Sequence, residues 1–295
     1  MKLAVTMYSL NNSYRKGETN IEDFINFCGT LEIQGVDLLS YYWKDRKAEI
    51  KKVPNLLKKN NLVLAAYATG NNFIQEDKVK IKEEIKRVKQ EIDTAAELKA
   101  PLMRIFGGSF VSAEREVRPR GPTFATHTAL HRVGDGGSLA KEKTRKDAVD
   151  IVIEPIKECV DYAKNKGVIL ALENHGIPGT SQELKHILDS INSPFLRATV
   201  DIGNFLSLNQ DPQEAVEELI SYAVHVHLKD ISKKGSSEQS ILGEGIIDLE
   251  TILRIFDQSG YDGFFSLEHE MAGDEKQGIR KSISYAKKIL REISS

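Results

Sequence analysis

Apolar residues in this chain gather into short runs bounded by turn residues, at 3–8, 33–39, 62–68, 102–106, 168–173, 196–201, 223–228 and 263–268. Runs of this length, rich in branched side chains, read as buried strands. Most are separated by a charged, helically periodic segment, as at 78–98, 145–166, 181–191, 211–223 and 248–259, and a last one at 278–293 closes the series. Strand and helix in alternation call for crossover units and a parallel sheet. Eight such units, roughly thirty residues apart, favour closure into a (β/α)8 TIM barrel of the α/β class over an open doubly wound sheet. No Gly-x-Gly-x-x-Gly follows the first run, which lowers the dinucleotide-binding alternative. The 295 residues are read as one domain, since α/β barrels routinely use about 250 residues or more.

One spacing departs from the pattern. Between 106 and 168 the gap is about twice the unit length, which predicts a long insertion after the fourth strand. The stretch 111–140 has no lysine but carries Arg115, Arg118, Arg120 and Arg132 with His127 and His131. An active-site lid or an oligomer contact is the functional reading, because loops after barrel strands border the site; a surface insertion is the plainer one.

Composition narrows the partners. A formal charge of −2 and a pI near 6.4 supply no basic field for a phosphate backbone, which argues against nucleic acid as partner. Cys28 and Cys159 lie in amphipathic helical segments, and two thiols in so long a chain suggest core filler in a reduced compartment. The amino terminus turns polar at Asn11-Asn12-Ser13, too soon for a signal peptide, and no apolar run reaches the roughly 18 residues of a membrane span. The expectation is a soluble, cytoplasmic protein with no membrane contact.

The chemistry is centred on Val224-His225-Val226-His227-Leu228-Lys229-Asp230, where alternation sends Val224, Val226 and Leu228 to one face and His225, His227 and Lys229 to the other. In a barrel, polar groups at strand carboxyl ends meet over the axis. Four consecutive runs end in such groups: Leu172-Glu173-Asn174-His175, Val200-Asp201-Ile202-Gly203-Asn204, His225-Val226-His227 and Leu267-Glu268-His269-Glu270. An unpaired buried carboxylate costs several kcal/mol, so three of them beside an imidazole need compensation. A divalent cation supplies it, and carboxylates with one imidazole suit Mn2+ first, with Mg2+ or Co2+ as alternatives. A single carboxylate at a strand end is more often a cap or ion-pair partner; four in succession are not so easily set aside. His225, one pleat deeper, reads as structural, and Glu270 as a loop residue beyond Glu268.

These motifs, with Leu242-Gly243-Glu244-Gly245, Ile247-Asp248, Gly260-Tyr261-Asp262-Gly263, Gly35-Val36-Asp37-Leu38 and Met103-Arg104-Ile105-Phe106, resemble the xylose isomerase-like barrels, the sugar isomerase and epimerase group that includes D-tagatose 3-epimerase relatives, hydroxypyruvate isomerase and inosose dehydratase. The resemblance implies that Glu173, Asp201, His227 and Glu268 bind one metal ion, with Glu173 and Glu268 also acting as acid and base. It departs at Asn204, where ketohexose epimerases typically carry histidine, and at Lys233, where they carry arginine. Both changes bear on sugar specificity and leave the metal ligands intact.

The expected activity is isomerisation or epimerisation of a small-molecule carbohydrate by proton abstraction next to a carbonyl, through a metal-stabilised enediolate. His175, Asn204, Lys229, Arg104 and Asp37 are candidate substrate-binding residues, with Tyr8 and Trp43 shaping the pocket. A lyase or dehydratase acting on a keto-sugar, 3-keto-glycoside or keto-inositol would begin with the same step. A non-catalytic sugar-binding barrel is the rival of another class, and a zinc-rich endonuclease is disfavoured by the few histidines. Relatives often form dimers or tetramers, so a homo-oligomer is expected.

Overall fold

The computed structural model describes residues 1–75, 77–110 and 144–294. Eight parallel strands close into a barrel: β1 Lys2–Thr6, β2 Gly35–Leu39, β3 Val63–Ala68, β4 Leu102–Ile105, β5 Ile169–Glu173, β6 Leu196–Asp201, β7 Ala223–Leu228 and β8 Phe264–Leu267. Each strand pairs with its neighbours in sequence, and β8 closes on β1 with Lys2 opposite Phe264 and Val5 opposite Leu267. The principal helices are α1 Ile21–Gly29, α2 Arg46–Lys59, α3 Lys78–Glu97, α4 Ile153–Lys166, α5 Ser181–Ile191, α6 Pro212–Leu219, α7 Leu249–Gln258 and α8 Glu275–Ser294. Among the described residues no helix is long and apolar enough to cross a membrane. The extra length falls between β4 and β5 as expected; residues 111–140, and with them the lid or oligomer-contact reading, lie outside the described residues.

Local chemistry sets the helix ends. Thr180 accepts a hydrogen bond from the Glu183 N–H while the Glu183 side chain reaches back to the Thr180 N–H, so two donors that α5 would otherwise leave open are satisfied. The helix ends at Asn192, whose φ of 46° is a left-handed turn that asparagine tolerates, and it buries Leu184, Ile187 and Leu188. The segment 145–166, expected as one helix, is two, Arg145–Ile151 and Ile153–Lys166. Pro155 explains the break: it lacks an N–H, and its ring would collide with the carbonyl of Ile151 in a continuous helix. The last helix begins at Glu275 rather than 278, because Asp274 accepts from the Gln277 N–H at 3.0 Å.

The barrel interior separates two kinds of packing. Val226 and Leu228 join the large apolar core beneath the helices, whereas Ala66, Leu102 and Ala171 form a small cluster of their own with Ile169 and Val224. Val224 was expected on the same face as Val226. Pairing of β6 with β7 slips by one residue between Ala198 and Thr199, and Val224 sits at that slip. Beyond β7, the Asp230 carboxylate accepts from the N–H groups of Gly243, Gly245 and Ile247 at 2.9, 3.0 and 3.1 Å, which ties the following loop to the strand end.

Candidate metal centre

Glu173 is the last residue of β5, Asp201 the last of β6, and His227 the penultimate of β7; Glu268 directly follows β8. All four are buried. Asp201 lies opposite His227, Glu173 opposite Thr199, and Glu268 two residues beyond Ser266, the partner of His227. His227 Nδ1 lies 3.6 Å from Glu173 Oε2, 3.9 Å from Asp201 Oδ2 and 4.0 Å from Glu268 Oε2. One ligand atom from each of the four falls within 4.8 Å of all the others.

This donor set fits a divalent cation. Oxygens about 2.1 Å from an ion the size of Mg2+ stand roughly 3 to 4 Å apart, the spacing seen here and too long for hydrogen bonding. The second oxygen of Asp201 is committed elsewhere: Oδ1 accepts from the N–H groups of Gly203 and Asn204 at 2.9 and 3.1 Å, which turns Oδ2 inward. Asn174 fixes the same corner, donating to the Asp201 carbonyl at 2.8 Å and accepting from its N–H at 2.7 Å. The carboxylates of Glu173, Asp201, Glu268 and Glu270 face two fixed cations, Arg104 and Lys229. Carboxylates outnumber these fixed cations, and a bound cation would offset the excess.

Electrostatics within the cluster are strong. Burial would push the Glu173 carboxyl up, but His227 and Arg104 outweigh it and hold it down at about 2. Burial would pull the His227 imidazole down, yet Glu173, Glu268 and Asp201 raise it to about 9. Asp201 is pushed up to about 6 by burial, against the pull of Lys229, with Glu268 adding to the push. A metal ion bound by these groups would compete with the proton on His227.

The remaining expected residues occupy distinct places. Lys229 Nζ contacts Glu268 at 2.6 Å, Asp201 at 2.9 Å and Glu270 at 3.0 Å, so its ammonium is engaged with the acidic cluster. Gly203 makes room for it, since a Cβ there would stand 2.8 Å from the lysine stem. Arg104 points its Nε at Glu173 Oε2, 3.1 Å away, donates to the Thr69 carbonyl at 3.0 Å and lies over the Phe106 ring. Its reading as a substrate contact gives way to charge neutralisation. Asn204 Nδ2 reaches Glu173 Oε1 at 3.3 Å and His175 Nδ1 at 3.5 Å, and the His175 ring stacks on Phe106 at 4.7 Å, so these three border the cluster together. Asp37, expected to contact substrate, is instead 1% exposed and accepts a 2.9 Å hydrogen bond from His225, one layer deeper than His227. Asp37 stands in the middle of β2, and its short side chain turns into the barrel, where His225 takes it up. Trp43 donates to Tyr67 at 3.0 Å, part of a network with Glu91. Lys233 is exposed.

Glu270, expected in the loop beyond Glu268, lies there, but it also joins the acidic cluster. Gln239 donates to its carboxylate at 2.8 Å and accepts from its N–H at 2.8 Å, so a two-stranded ribbon, Asp230–Ile231 with Gln239–Ser240, holds Glu270 against Lys229. Burial, opposed by Lys229 and reinforced by Glu268, raises its carboxyl to about 8. Its spacing of two from Glu268 puts both on one face of an extended chain.

Comparison with known proteins places this geometry. Over 136 residues the chain is 32% identical to the L-ribulose-5-phosphate 3-epimerase UlaE of Escherichia coli, covering 45% of this chain and 48% of that one. Over 149 residues it is 26% identical to an inosose dehydratase of Clostridium perfringens, covering 44% and 49%. The chain thus spans about half the length of the curated relatives it matches. The crystal structure of the IOLI protein with a binding zinc atom superposes with a TM-score of 0.74 at 15% identity, over 99% of this chain and 98% of that one. The model of the xylose isomerase-like TIM barrel family matches residues 28–289, and the chain belongs to that family.

Proposed function

We propose that this protein is a divalent-metal-dependent sugar isomerase or epimerase. The observation that carries the reading is the convergence of Glu173, Asp201, His227 and Glu268 to within 4.8 Å at the carboxyl ends of four successive strands. An ion held there, with Mn2+ the expected occupant, would act as a Lewis acid on a sugar carbonyl and its neighbouring hydroxyl, acidifying the C–H between them. Glu173, kept ionised by His227 and Arg104, takes that proton from carbon. Glu268, separated from it by β6 and β7, enters the cycle protonated and gives that proton to the same carbon from the opposite face, which inverts the centre and leaves Glu173 protonated and Glu268 ionised. Return to the adjacent carbon instead gives isomerisation. His175 and Asn204, side by side at the edge of the cluster, hydrogen-bond sugar hydroxyls, and Lys229 with Arg104 balances the acids as the proton moves.

A second reading is favoured by the inosose dehydratase similarity: the same proton abstraction followed by loss of a β-hydroxyl from a keto-inositol. Cys28 and Cys159, both buried and free, accord with a reducing, cytoplasmic setting.

The test is uptake of solvent deuterium into a panel of ketoses and keto-inositols with Mn2+ present, followed by product analysis. Exchange is expected for at least one substrate and is expected to vanish in Glu173→Gln. Exchange at the wild-type rate in that variant would remove Glu173 from the mechanism. Sugar-dependent thermal stabilisation without any exchange would favour the non-catalytic sugar-binding barrel.

A further inference from the structure

The proposed proton transfers leave a buried ionisable pair unused. Asp37 and His225 are 1% and 0% exposed, and Asp37 Oδ2 lies 2.9 Å from His225 Nε2. Hydrophobic side chains of similar volume in place of such a pair are commonly neutral or stabilising, so stability does not account for it. The same Asp37 oxygen lies 3.9 Å from His227 Nε2. That is beyond a hydrogen bond, but it is close for a carboxylate in a dry interior. His227 therefore has two differently addressed nitrogens, Nδ1 toward Glu173, Asp201 and Glu268, and Nε2 toward Asp37. The His225 ring meets the His227 ring edge to face, with centroids 5.4 Å apart and planes at 84°, which restricts rotation of both.

Asp37, His225 and His227 also bring one ligand atom each within 4.8 Å of one another, the spacing of a second cation site. Filling both sites would require His227 to give both ring nitrogens to metals and so lose its last ring proton. An imidazole that keeps one proton gives a metal one nitrogen, and the three carboxylates claim Nδ1.

We infer that Asp37 is a positioning residue for the metal ligand His227: its carboxylate draws the ring proton to Nε2 and leaves the Nδ1 lone pair facing the metal site, while His225 holds that carboxylate in place. Partners of this kind on the far nitrogen fix the tautomer and raise the basicity of ligating histidines. The inference rests on the metal-centre reading above.

The experiment is a Co2+ titration of the EDTA-stripped full chain, followed by the visible ligand-field bands, with melting curves of the metal-free protein alongside. Asp37→Asn should bind Co2+ at least about tenfold more weakly than wild type, with shifted bands. His225→Gln can still donate to Asp37 and should stay within about threefold. Both variants alter the same buried pair, so a merely structural role would lower both melting temperatures and leave both affinities unchanged, and that result overturns the inference. Equal losses of affinity in both variants also overturn it. Should Asp37→Asn fail to fold, the double change Asp37→Leu with His225→Leu carries the same expectation of about a tenfold loss. Wild-type protein that takes up no Co2+ overturns the metal-centre reading and this inference with it; Co2+ bound alike by wild type and Asp37→Asn overturns this inference alone.

Discussion

Each acid of the cluster is distinguished by what holds it. Glu173 is kept ionised by Arg104 and His227, whereas Glu270, held by Gln239 and Lys229, is raised to about 8 by its burial. His227 is raised to about 9 and Glu270 to about 8, from ordinary values of 6.5 and 4.5. In both cases the folded chain keeps a proton that the unfolded chain gives up. The stability contributed is full below the ordinary value and is lost as pH rises through the shifted one. The melting temperature of metal-free protein should therefore fall between pH 6.5 and 9. Saturating Mn2+ replaces the His227 proton, so the stabilisation gained from the metal should grow with pH across the same window. A metal-free melting temperature that rises over that window would contradict these assignments. The four residues that converge were legible in sequence because each stands at the end of an apolar run. The same signal flagged Asp37 without revealing its depth, because β2 continues for two residues beyond it and so leaves it inside the barrel. Only the placement of His225, two residues before His227, decides it.

At the level of elements, strands and helices follow from local periodicity, and the deviations have local causes. Pro155 breaks the helix ahead of β5, and Asp274 starts the last helix early. The loop after β7 shows how a motif acquires its meaning only in three dimensions. In Leu242-Gly243-Glu244-Gly245 the backbone wraps the buried Asp230 carboxylate, and Gly245 is required there because it stands directly against it. A Cβ at Gly245 would stand 2.2 Å from Asp230 Oδ1 and 2.6 Å from the Ile231 carbonyl. Gly245→Ala should therefore cost about 1 to 3 kcal/mol, read as a lower urea midpoint with an unchanged slope. It should also loosen the ribbon that carries Gln239 and, through it, Glu270. An unchanged midpoint would show that the loop bears no such strain.

In the molecule as a whole, the closed barrel gathers residues more than 90 positions apart into one cluster and stacks two layers on its axis. The upper layer holds the acids and His227; the lower holds Asp37 and His225. Strand count, parallel pairing and the position of the extra length after β4 were readable from spacing, because each β/α unit repeats the same length. Which side chains neutralise one another was not, because Arg104 and Glu173 meet between neighbouring strands that are far apart in sequence, and Asp37 and His225 meet across the barrel, and neither pair leaves a local pattern. The stability gained on metal binding and the chemistry proposed for the mouth both depend on one ion in the upper layer. The direct measurement is an anomalous difference map, collected at the manganese edge from crystals grown with MnCl2. One peak is expected, bonded to Glu173, Asp201, His227 through Nδ1, and Glu268. An empty upper layer, or manganese bound by Asp37 and His225 instead, would contradict the mechanism proposed here.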